Sequence, residues 1–135
     1  MEPAFLELGE IIEIHRDQLE RYGGSAGTRD MGLLLSAAAM PRAGIADRYL
    51  HEDIFEMAAA YLYHIVRDHP FIDGNKRTGA AAALVFLAMN DVTIDVEEDA
   101  LENLVRSVAE GTASKSETAG FFRQADERLK ALPLH

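Results

Sequence analysis

The sequence predicts an all-α fold with about six helices around a central antiparallel helix pair. Apolar residues recur at spacings of three and four through most of the chain, which is the period of an amphipathic helix. Residues that favour helix ends, such as Ser, Asp, Gly and Pro, stand between these apolar segments. The β-like run 92–94 is too short for more than a bridge or an extended turn. Together these observations favour packed helices with little or no sheet.

The composition favours a single globular domain that spans residues 1–135. Apolar residues make up 48% of the chain and charged residues 27%, a balance typical of folded proteins. The net charge of −10 predicts repulsion from nucleic acid and from anionic lipid, so we expect no direct nucleic-acid partner and no membrane partner. No apolar run reaches the roughly 18 residues that span a bilayer, and we expect no signal peptide. Because cysteine is absent, a reducing cytoplasmic location is the simplest expectation.

The first predicted helix covers residues 5–22, with its acidic residues largely off an apolar stripe. Gly23 and Gly24 end it, because glycine readily leaves the helical conformation. His15 lies on the apolar side, where a lone histidine is most often half-buried with a hydrogen-bond partner.

The second predicted helix follows Asp30, which can cap it, and runs to Met40. Pro41 ends this helix, since its ring and missing N–H cannot continue the ladder. Residues 42–51 show no clear periodicity and predict a surface loop, with a small hairpin or flap as one form of it.

Two strongly apolar helices occupy the middle of the chain, at 52–68 and at about 75–90. Apolar residues wrap most of the first of these helices, which predicts a central buried position. Four alanines at 80–83 in the second allow a neighbouring backbone to come close. The two helices are expected to form a tight antiparallel pair, with residues 69–79 at the bend.

Two capping-box spacings start the last two predicted helices. The pairs are Asp95 with Glu98 and Ser114 with Glu117. The first of these helices is expected to stop at Gly111. The second is expected to reach about residue 132, with Leu129 facing inward.

The polar bend between the two central helices is the candidate active site. Its sequence is His69-Pro70-Phe71-Ile72-Asp73-Gly74-Asn75-Lys76-Arg77-Thr78-Gly79. An imidazole can take the proton of an incoming hydroxyl near neutral pH, so His69 is the candidate general base. Asp73 can hold a magnesium ion beside bound phosphates. Phe71 is expected to point into the core and anchor the turn.

The second half of the bend predicts phosphate binding. Asn75 can cap the next helix, and close approach at Gly74 opens its first-turn N–H groups to an anion. Lys76 and Arg77 add the two cations that a di- or triphosphate needs. These groups predict phosphoryl or nucleotidyl transfer. The alternative is an ordinary Gly-Asn turn with a few exposed charges.

Two known motifs that partly resemble this region do not fit its sequence. Residues 74–78 lack the upstream glycine and the preceding strand of a Walker A loop. His64 and His69 are five residues apart, which does not give the one-face pair of a zinc helix.

Residues 69–78, His-Pro-Phe-Ile-Asp-Gly-Asn-Lys-Arg-Thr, resemble the signature of the Fic/Doc family. Within that family they are most similar to the death-on-curing (Doc) branch of toxin–antitoxin systems. Arg21-Tyr22-Gly23-Gly24, Arg29-Asp30-Met31-Gly32-Leu33-Leu34 and Ser36-Ala37 also resemble the N-terminal segment of Doc-like proteins. The similarity covers about residues 5–125.

The resemblance implies an α-helical Fic core with a flap over the active site, within residues 42–51. It also implies ATP and Mg²⁺ as cofactors. Carried over by position, the resemblance implies that His69 is the general base, Asp73 the magnesium-binding acid and Asn75 the phosphate-binding amide. It also implies that Lys76 and Arg77 contact phosphate.

Two positions distinguish the branches of the family. AMP-transferring Fic enzymes usually have glycine at the position of Lys76 and arginine at the position of Ala80. Both residues favour Doc, which phosphorylates elongation factor Tu and arrests translation. Gly74 is instead the Fic choice, where Doc has alanine, so a Fic-type AMP transferase remains the alternative. A non-catalytic Fic-fold binding protein is a further alternative.

Many Fic enzymes carry an inhibitory Ser/Thr-x-x-x-Glu-Gly/Asn helix. Residues 107–111 come one residue short of that spacing, so we interpret them as an ordinary helix end. The resemblance then implies inhibition in trans by a Phd-like antitoxin. That antitoxin, rather than this acidic chain, would bind the operator DNA.

Overall fold

A computed structural model of the chain describes residues 2–130. Its helices are α1 (Leu8–Tyr22), α2 (Met31–Ala39), α3 (Ile54–Asp68), α4 (Asn75–Met89), α5 (Glu98–Glu110), α6 (Lys115–Ala125) and the short α7 (Glu127–Lys130). A 3₁₀ turn, Met40–Arg42, follows α2 and contains Pro41. The all-α prediction is therefore confirmed, with six longer helices and part or all of a seventh within residues 2–130.

Helix α3 is the centre of the core. Its residues 57–62 are all 2% exposed or less, and Ile65 and Val66 are fully buried. Helices α1, α2, α4, α5 and α6 pack around the same hydrophobic cluster. Tyr61 ties the N-terminal segment to α3, since its hydroxyl accepts the Leu6 N–H at 2.9 Å. Burial raises the pKa of Tyr61 to about 12. The central buried helix predicted at 52–68 is confirmed.

Helices α3 and α4 pack closely on either side of the 69–74 bend. The helices approach closely at Gly79, where an added Cβ atom would lie 2.7 Å from Val66 Cγ2 and 3.2 Å from the Leu62 carbonyl oxygen. Ala82 and Ala83 in the alanine run are fully buried. Small side chains on α4, Gly79 among them, therefore let its backbone approach α3.

A two-stranded antiparallel hairpin forms within residues 42–51. Strand β1 (Gly44–Ile45) pairs with β2 (Arg48–Tyr49), and Gly44 lies opposite Tyr49. The Tyr49 ring packs 5.5 Å from the Phe5 ring. The predicted small hairpin is confirmed.

Several predicted helix ends are confirmed by their hydrogen bonds. The Asp30 side chain accepts the Leu33 N–H at 3.0 Å and caps α2. Ser114 and Glu117 form the predicted capping box at α6. Glycines follow α1 and α5, with φ values of 82° at Gly23 and 83° at Gly111.

The capping box predicted from Asp95 is wrong. Helix α5 begins at Glu98 after Glu97, whose side chain makes no capping bond. The Asp95 N–H instead donates to the Ala125 carbonyl at 2.7 Å. Ile94 forms an isolated bridge with Asp126. This backbone pairing ties residues 94 and 95 to the end of α6, three residues before α5 starts.

The last helix also differs from its prediction. Helix α6 ends at Ala125, and Asp126 interrupts it with φ −56° and ψ 120° before α7 begins. The predicted inward side chain of Leu129 and the end near residue 132 lie outside the described side chains and residues. Within residues 2–130, no helix is long and apolar enough to cross a bilayer.

Candidate active site

The candidate site lies on the bend between α3 and α4. His69 ends α3 in the left-handed conformation, with φ 51° and ψ 56°. Gly74 precedes α4 with φ 77° and ψ 16°. Left-handed residues at both ends reverse the chain over residues 69–74 and bring the end of α3 next to the start of α4. His69 is exposed, whereas Pro70 is buried.

The Asn75 side chain holds this bend closed. Its Oδ1 accepts the Phe71 N–H at 3.0 Å, and its Nδ2 donates to the Phe71 carbonyl at 2.9 Å. Nδ2 also lies 3.2 Å from His69 Nδ1. The predicted helix cap is therefore wrong, because Gly74 occupies the N-cap and Asn75 is the first residue of α4. With 5% exposure, Asn75 is committed to the bend itself.

The Asn75 contact also determines the resting tautomer of His69. An amide NH₂ group can only donate, so His69 Nδ1 must accept. A neutral imidazole with an accepting Nδ1 carries its proton on Nε2. In this state His69 Nε2 is a donor and not a base.

Phe71 has the inward position that the sequence predicts. It is 1% exposed, and its ring lies face to face with the His15 ring, with centroids 3.8 Å apart. His15 Nε2 donates to the Asp73 carbonyl at 2.8 Å. His15 has the hydrogen-bond partner that the sequence predicts, but it is buried rather than half-buried, and the partner is a residue of the candidate site. The sequence carries no signal for that long-range contact.

Asp73 presents an ionised carboxylate at the edge of the bend. Its Oδ2 accepts the Ser25 N–H at 3.1 Å, and its Oδ1 accepts the Gly74 N–H at 2.9 Å. These backbone N–H groups lower the pKa of Asp73, with a smaller contribution from Arg77. The carboxylate stays charged because both bonds favour its anionic form.

A magnesium ion fits Asp73 as a single protein ligand. Among the described residues, no group of three His, Cys, Asp or Glu side chains could hold a metal. Magnesium commonly uses one or two carboxylates, with phosphate oxygens and water completing its shell. Each Asp73 oxygen accepts a single hydrogen bond, which leaves lone pairs for such an ion.

Lys76 and Arg77 are exposed on the first turn of α4. The Arg77 guanidinium lies 4.5 Å from the centroid of the Tyr22 ring, and Nη1 is 3.5 Å from the Tyr22 carbonyl oxygen. Lys76 has no hydrogen bond or ion pair with any residue between 2 and 130. Both cations stand at the positive end of the α4 dipole, which favours an anion there.

A groove of about 810 Å³ brings the predicted residues together. Its lining includes His69, Asp73, Gly74, Asn75, Lys76 and Arg77. Ala80, Leu84 and Leu101 form an apolar wall, and Glu102 and Arg106 of α5 add charge. The volume is in the range of pockets that enclose a small ligand, about 300–1,000 Å³. The strands of the hairpin do not line this groove.

Residues 27–30 also contact the bend, although no sequence pattern predicted a role for them there. The Ile72 N–H donates to the Gly27 carbonyl at 3.0 Å, and Thr28 forms an isolated bridge with Phe71. The Arg29 Nε donates to the His69 carbonyl at 2.6 Å. The only indication in the sequence was that part of this segment resembles Doc-like proteins, and that resemblance does not predict which residues it contacts.

The sequence profile of the Fic/DOC family matches residues 5–87, which include the whole bend and its supporting segment. The chain belongs to the Fic/DOC family. It is 40% identical over 90 residues to "Toxin Doc" of Mycolicibacterium smegmatis (strain ATCC 700084 / mc(2)155), covering 65% of this chain and 69% of that protein. It is 35% identical over 115 residues to "Protein kinase doc" of Escherichia phage P1, covering 85% of this chain and 90% of that protein.

The family match and the site geometry concern the same part of the molecule. Residues 5–87 contain α1 to α3 and nearly all of α4, and so supply every Fic/DOC signature residue of the groove. Glu102 and Arg106, on α5, lie beyond the matched residues. The α5 side of the groove is therefore not covered by the family profile.

Proposed function

We propose that this chain is a Doc-like toxin that transfers the γ-phosphoryl group of ATP to a hydroxyl on a translation factor similar to elongation factor Tu. Transfer would arrest growth, and an antitoxin would neutralise it. The observation that carries the proposal is the groove, which His69, Asp73, Lys76 and Arg77 all line. The relative named "Protein kinase doc" supports a protein-modifying transferase.

The ATP phosphates would bind at the first turn of α4. The free N–H groups of that turn and the two cations Lys76 and Arg77 all favour negative charge. Asp73 would hold Mg²⁺, which would supply positive charge to offset the negative charge of the phosphates. Asn75 lines the groove, but its side chain is bonded to Phe71, so we assign phosphate contact to the turn that it stabilises.

His69 would act as the general base for the substrate hydroxyl. In the resting tautomer its Nδ1 accepts from Asn75, so Nε2 carries the proton. To use Nε2 as a base, the ring must move its proton to Nδ1, and the 3.2 Å contact with Asn75 must open. The alternative is a turn of the ring that presents Nδ1 to the hydroxyl. Either route requires a change at Asn75 when substrates bind, as is common when catalytic contacts tighten only in the complex.

Lys76 and Ala80 favour phosphoryl transfer over AMP transfer. Lys76 extends an ammonium from the first turn of α4, where a glycine would supply no charge. Ala80 lines the groove one turn later and supplies no guanidinium there. The site therefore concentrates its positive charge at one end, on two adjacent residues. This arrangement suits a nucleotide whose terminal phosphates lie at that end of the groove.

AMP transfer remains the second candidate because Gly74 matches the Fic pattern. The geometry offers a different reason for that glycine. Gly74 has φ 77°, and a Cβ atom there would lie 3.3 Å from Leu19 Cδ2. Backbone conformation and close packing thus favour glycine whichever group is transferred. Gly74 is consequently weak support for AMP transfer.

Labelled ATP distinguishes the candidates. The purified chain is incubated with elongation factor Tu, Mg²⁺ and ATP labelled at either the α or the γ phosphorus. We expect protein-bound label from the γ position and none from the α position. His69→Ala serves as the control and should abolish labelling while the thermal unfolding midpoint stays close to that of the wild type.

The other outcomes identify the alternatives. Label from the α position would overturn the kinase proposal in favour of AMP transfer. No label from either position, together with no calorimetric binding of ATP and Mg²⁺, would favour a non-catalytic binding protein. Label that persists in His69→Ala would exclude His69 as the base.

We also propose a Phd-like antitoxin as the partner that restrains this activity in the cytoplasm. Helix α5 ends as a regular helix, with Gly111 at φ 83° and the Thr112 N–H bonded to the Ser107 carbonyl at 2.9 Å. The segment 107–111 thus serves as a helix end, which supports the proposal that restraint comes from a second chain. The apolar wall of Leu84 and Leu101 offers that chain a surface beside the groove.

A further inference from the structure

Arg29 makes two hydrogen bonds to the end of α3. Its Nε donates to the His69 carbonyl at 2.6 Å, and its Nη2 donates to the Asp68 carbonyl at 2.8 Å. Carbonyls in the last turn of a helix have no partner within the helix. One planar guanidinium therefore satisfies two successive carbonyls, and its positive charge lies at the negative end of the α3 dipole.

The backbone of Arg29 is itself fixed against the same bend. Its N–H donates to the Pro70 carbonyl at 2.7 Å, and the Asp30 N–H donates to that carbonyl at 3.1 Å. The Asp30 side chain also caps α2, since it accepts the Leu33 N–H. Arg29 is therefore held by the start of α2 while its side chain reaches the end of α3.

The residue that these bonds hold is conformationally unfavourable. His69 has φ 51°, one of only a few positive values at a non-glycine residue between 2 and 130. L-residues with a Cβ atom avoid this region unless their surroundings enforce it. The Arg29 bond to the His69 carbonyl and the Asn75 bond to its ring fix the two ends of that residue.

Arg29 does not itself reach the groove. It is absent from the residues that line the groove, and two of its guanidinium nitrogens are committed to carbonyls. A direct phosphate contact is thus excluded for this geometry. What remains is an effect on the orientation of His69.

We propose that Arg29 is a positioning residue for His69: its two bonds to the end of α3 hold His69 in the left-handed conformation that presents the imidazole to the groove. This inference rests on the proposed role of His69 as general base. A displaced imidazole slows proton transfer, whereas ATP binding at the first turn of α4 is left intact. Misplacement of a catalytic group by about 1 Å can cost about 100-fold in rate.

The test compares Arg29→Ala, Arg29→Lys and Arg16→Ala. Arg16 is an exposed residue of α1 whose guanidinium pairs only with Glu13 among the described residues, so it controls for loss of a surface cation. For Arg29→Ala we expect kcat to fall about 10- to 100-fold with KM for ATP changed less than about 3-fold. Arg29→Lys should also be slow, because one ammonium cannot bond both carbonyls in the geometry of the fork.

Two further readouts separate positioning from a general loss of structure. Millimolar guanidinium ion should restore part of kcat in Arg29→Ala but not in Arg29→Lys, and it should leave the wild-type-like kcat of Arg16→Ala unchanged. In protein with ¹³C-labelled histidine, the ring signals of His69 should move in Arg29→Ala, while those of His15 stay in place. This NMR comparison needs no activity, so it tests positioning even if the chain transfers no label.

Three outcomes would overturn the inference. One is an Arg29→Ala variant with wild-type kcat and unchanged His69 ring signals. Another is a full loss of ATP binding in a folded Arg29→Ala variant, which would make Arg29 a ligand contact. The third is an Arg29→Lys variant with wild-type kcat and His69 signals, which would show that charge alone suffices. If wild-type protein transfers no label but the His69 signals still depend on Arg29, the proposed function fails and the positioning stands.

Discussion

The buried rings of His15 and Phe71 lie nearly parallel, with an interplanar angle of 5° and centroids 3.8 Å apart. His15 also donates from Nε2 to the Asp73 carbonyl. One α1 side chain therefore contacts the bend twice, once by stacking and once by a hydrogen bond. Helix α1 thereby supports the loop that carries the candidate catalytic groups.

Substitution of His15 should separate these two contacts. We expect His15→Phe to keep the stacking and to lower the free energy of unfolding by about 1 kcal/mol, the usual net contribution of one hydrogen bond. His15→Ala also loses the buried ring and should cost about 2–4 kcal/mol. Urea unfolding of both variants measures the difference. Equal losses would contradict a separate contribution from the ring stacking.

Asn75→Asp should reverse the tautomer of His69. A carboxylate in this position can accept a hydrogen bond from His69 Nδ1–H, whereas the Asn75 Nδ2 group can only donate one to Nδ1. It also places negative charge against the Phe71 carbonyl in a 5% exposed position, which should lower the free energy of unfolding by about 2–3 kcal/mol. The ¹³C shifts of the His69 ring report the tautomer directly.

Asn103→Asp is the matched control for that variant. Asn103 is exposed on α5, and its side chain bonds only to Arg106 among residues 2–130. It should leave both the His69 ring signals and the free energy of unfolding nearly unchanged, within about 0.5 kcal/mol. Unchanged His69 signals in Asn75→Asp would show that the amide does not control the tautomer.

The α3–α4 interface predicts opposite effects for two glycine-to-alanine changes. In Gly79→Ala the new methyl group meets Val66 and the Leu62 carbonyl, so overpacking should cost about 1–3 kcal/mol. In Gly120→Ala the methyl group meets nothing within 4 Å, and the better helix propensity of alanine should add about 0.5–1 kcal/mol. Thermal and urea unfolding show whether each variant gains or loses stability. A neutral Gly79→Ala would indicate that α4 can shift away from α3.

Local signals explain why most of the fold could be predicted. Asp30 and Ser114 cap their helices through residues three positions ahead, so a short sequence window contains the whole interaction. Asp95 has the same kind of spacing, but the segment 93–95 pairs with residues near 125. That pairing is tertiary and overrides the local preference. The break at Asp126 is part of the same pairing and was missed for the same reason.

The sequence indicates which residues of the bend line the groove, but not how they bond to one another. The residues of the bend are consecutive, so their types alone indicate phosphate chemistry. Asn75 could cap the helix or bond backward to the turn, and only the left-handed Gly74 decides between these roles. His15 and Arg29 contact the bend from 58 and 40 residues away in sequence. No spacing rule reaches that far.

A partly buried cluster formed by α3, the start of α6 and the segment before α3 predicts acid sensitivity. Lys115 Nζ lies 2.9 Å from His64 Nε2 and 3.4 Å from His51 Nε2. Burial lowers the pKa of both histidines, and Lys115 lowers both further. Asp68 opposes the effect at His64, as does the Met40 carbonyl at His51. Burial lowers the pKa of Lys115 as well.

The sign of the pH dependence follows from these directions. Because both histidines have a lower pKa in the folded state, the unfolded chain binds protons first as the pH falls below about 6.5. The free energy of unfolding should therefore be highest above that pH and decline as the pH falls through the folded pKa values.

Lys115→Met removes one cause of the lowered pKa values and should make this decline shallower. Lys76→Met, the same change at an exposed lysine outside the cluster, should leave the slope as in the wild type. Urea unfolding between about pH 5 and 8, the range in which histidine titrates, measures all three slopes, and equal slopes would contradict the role of Lys115.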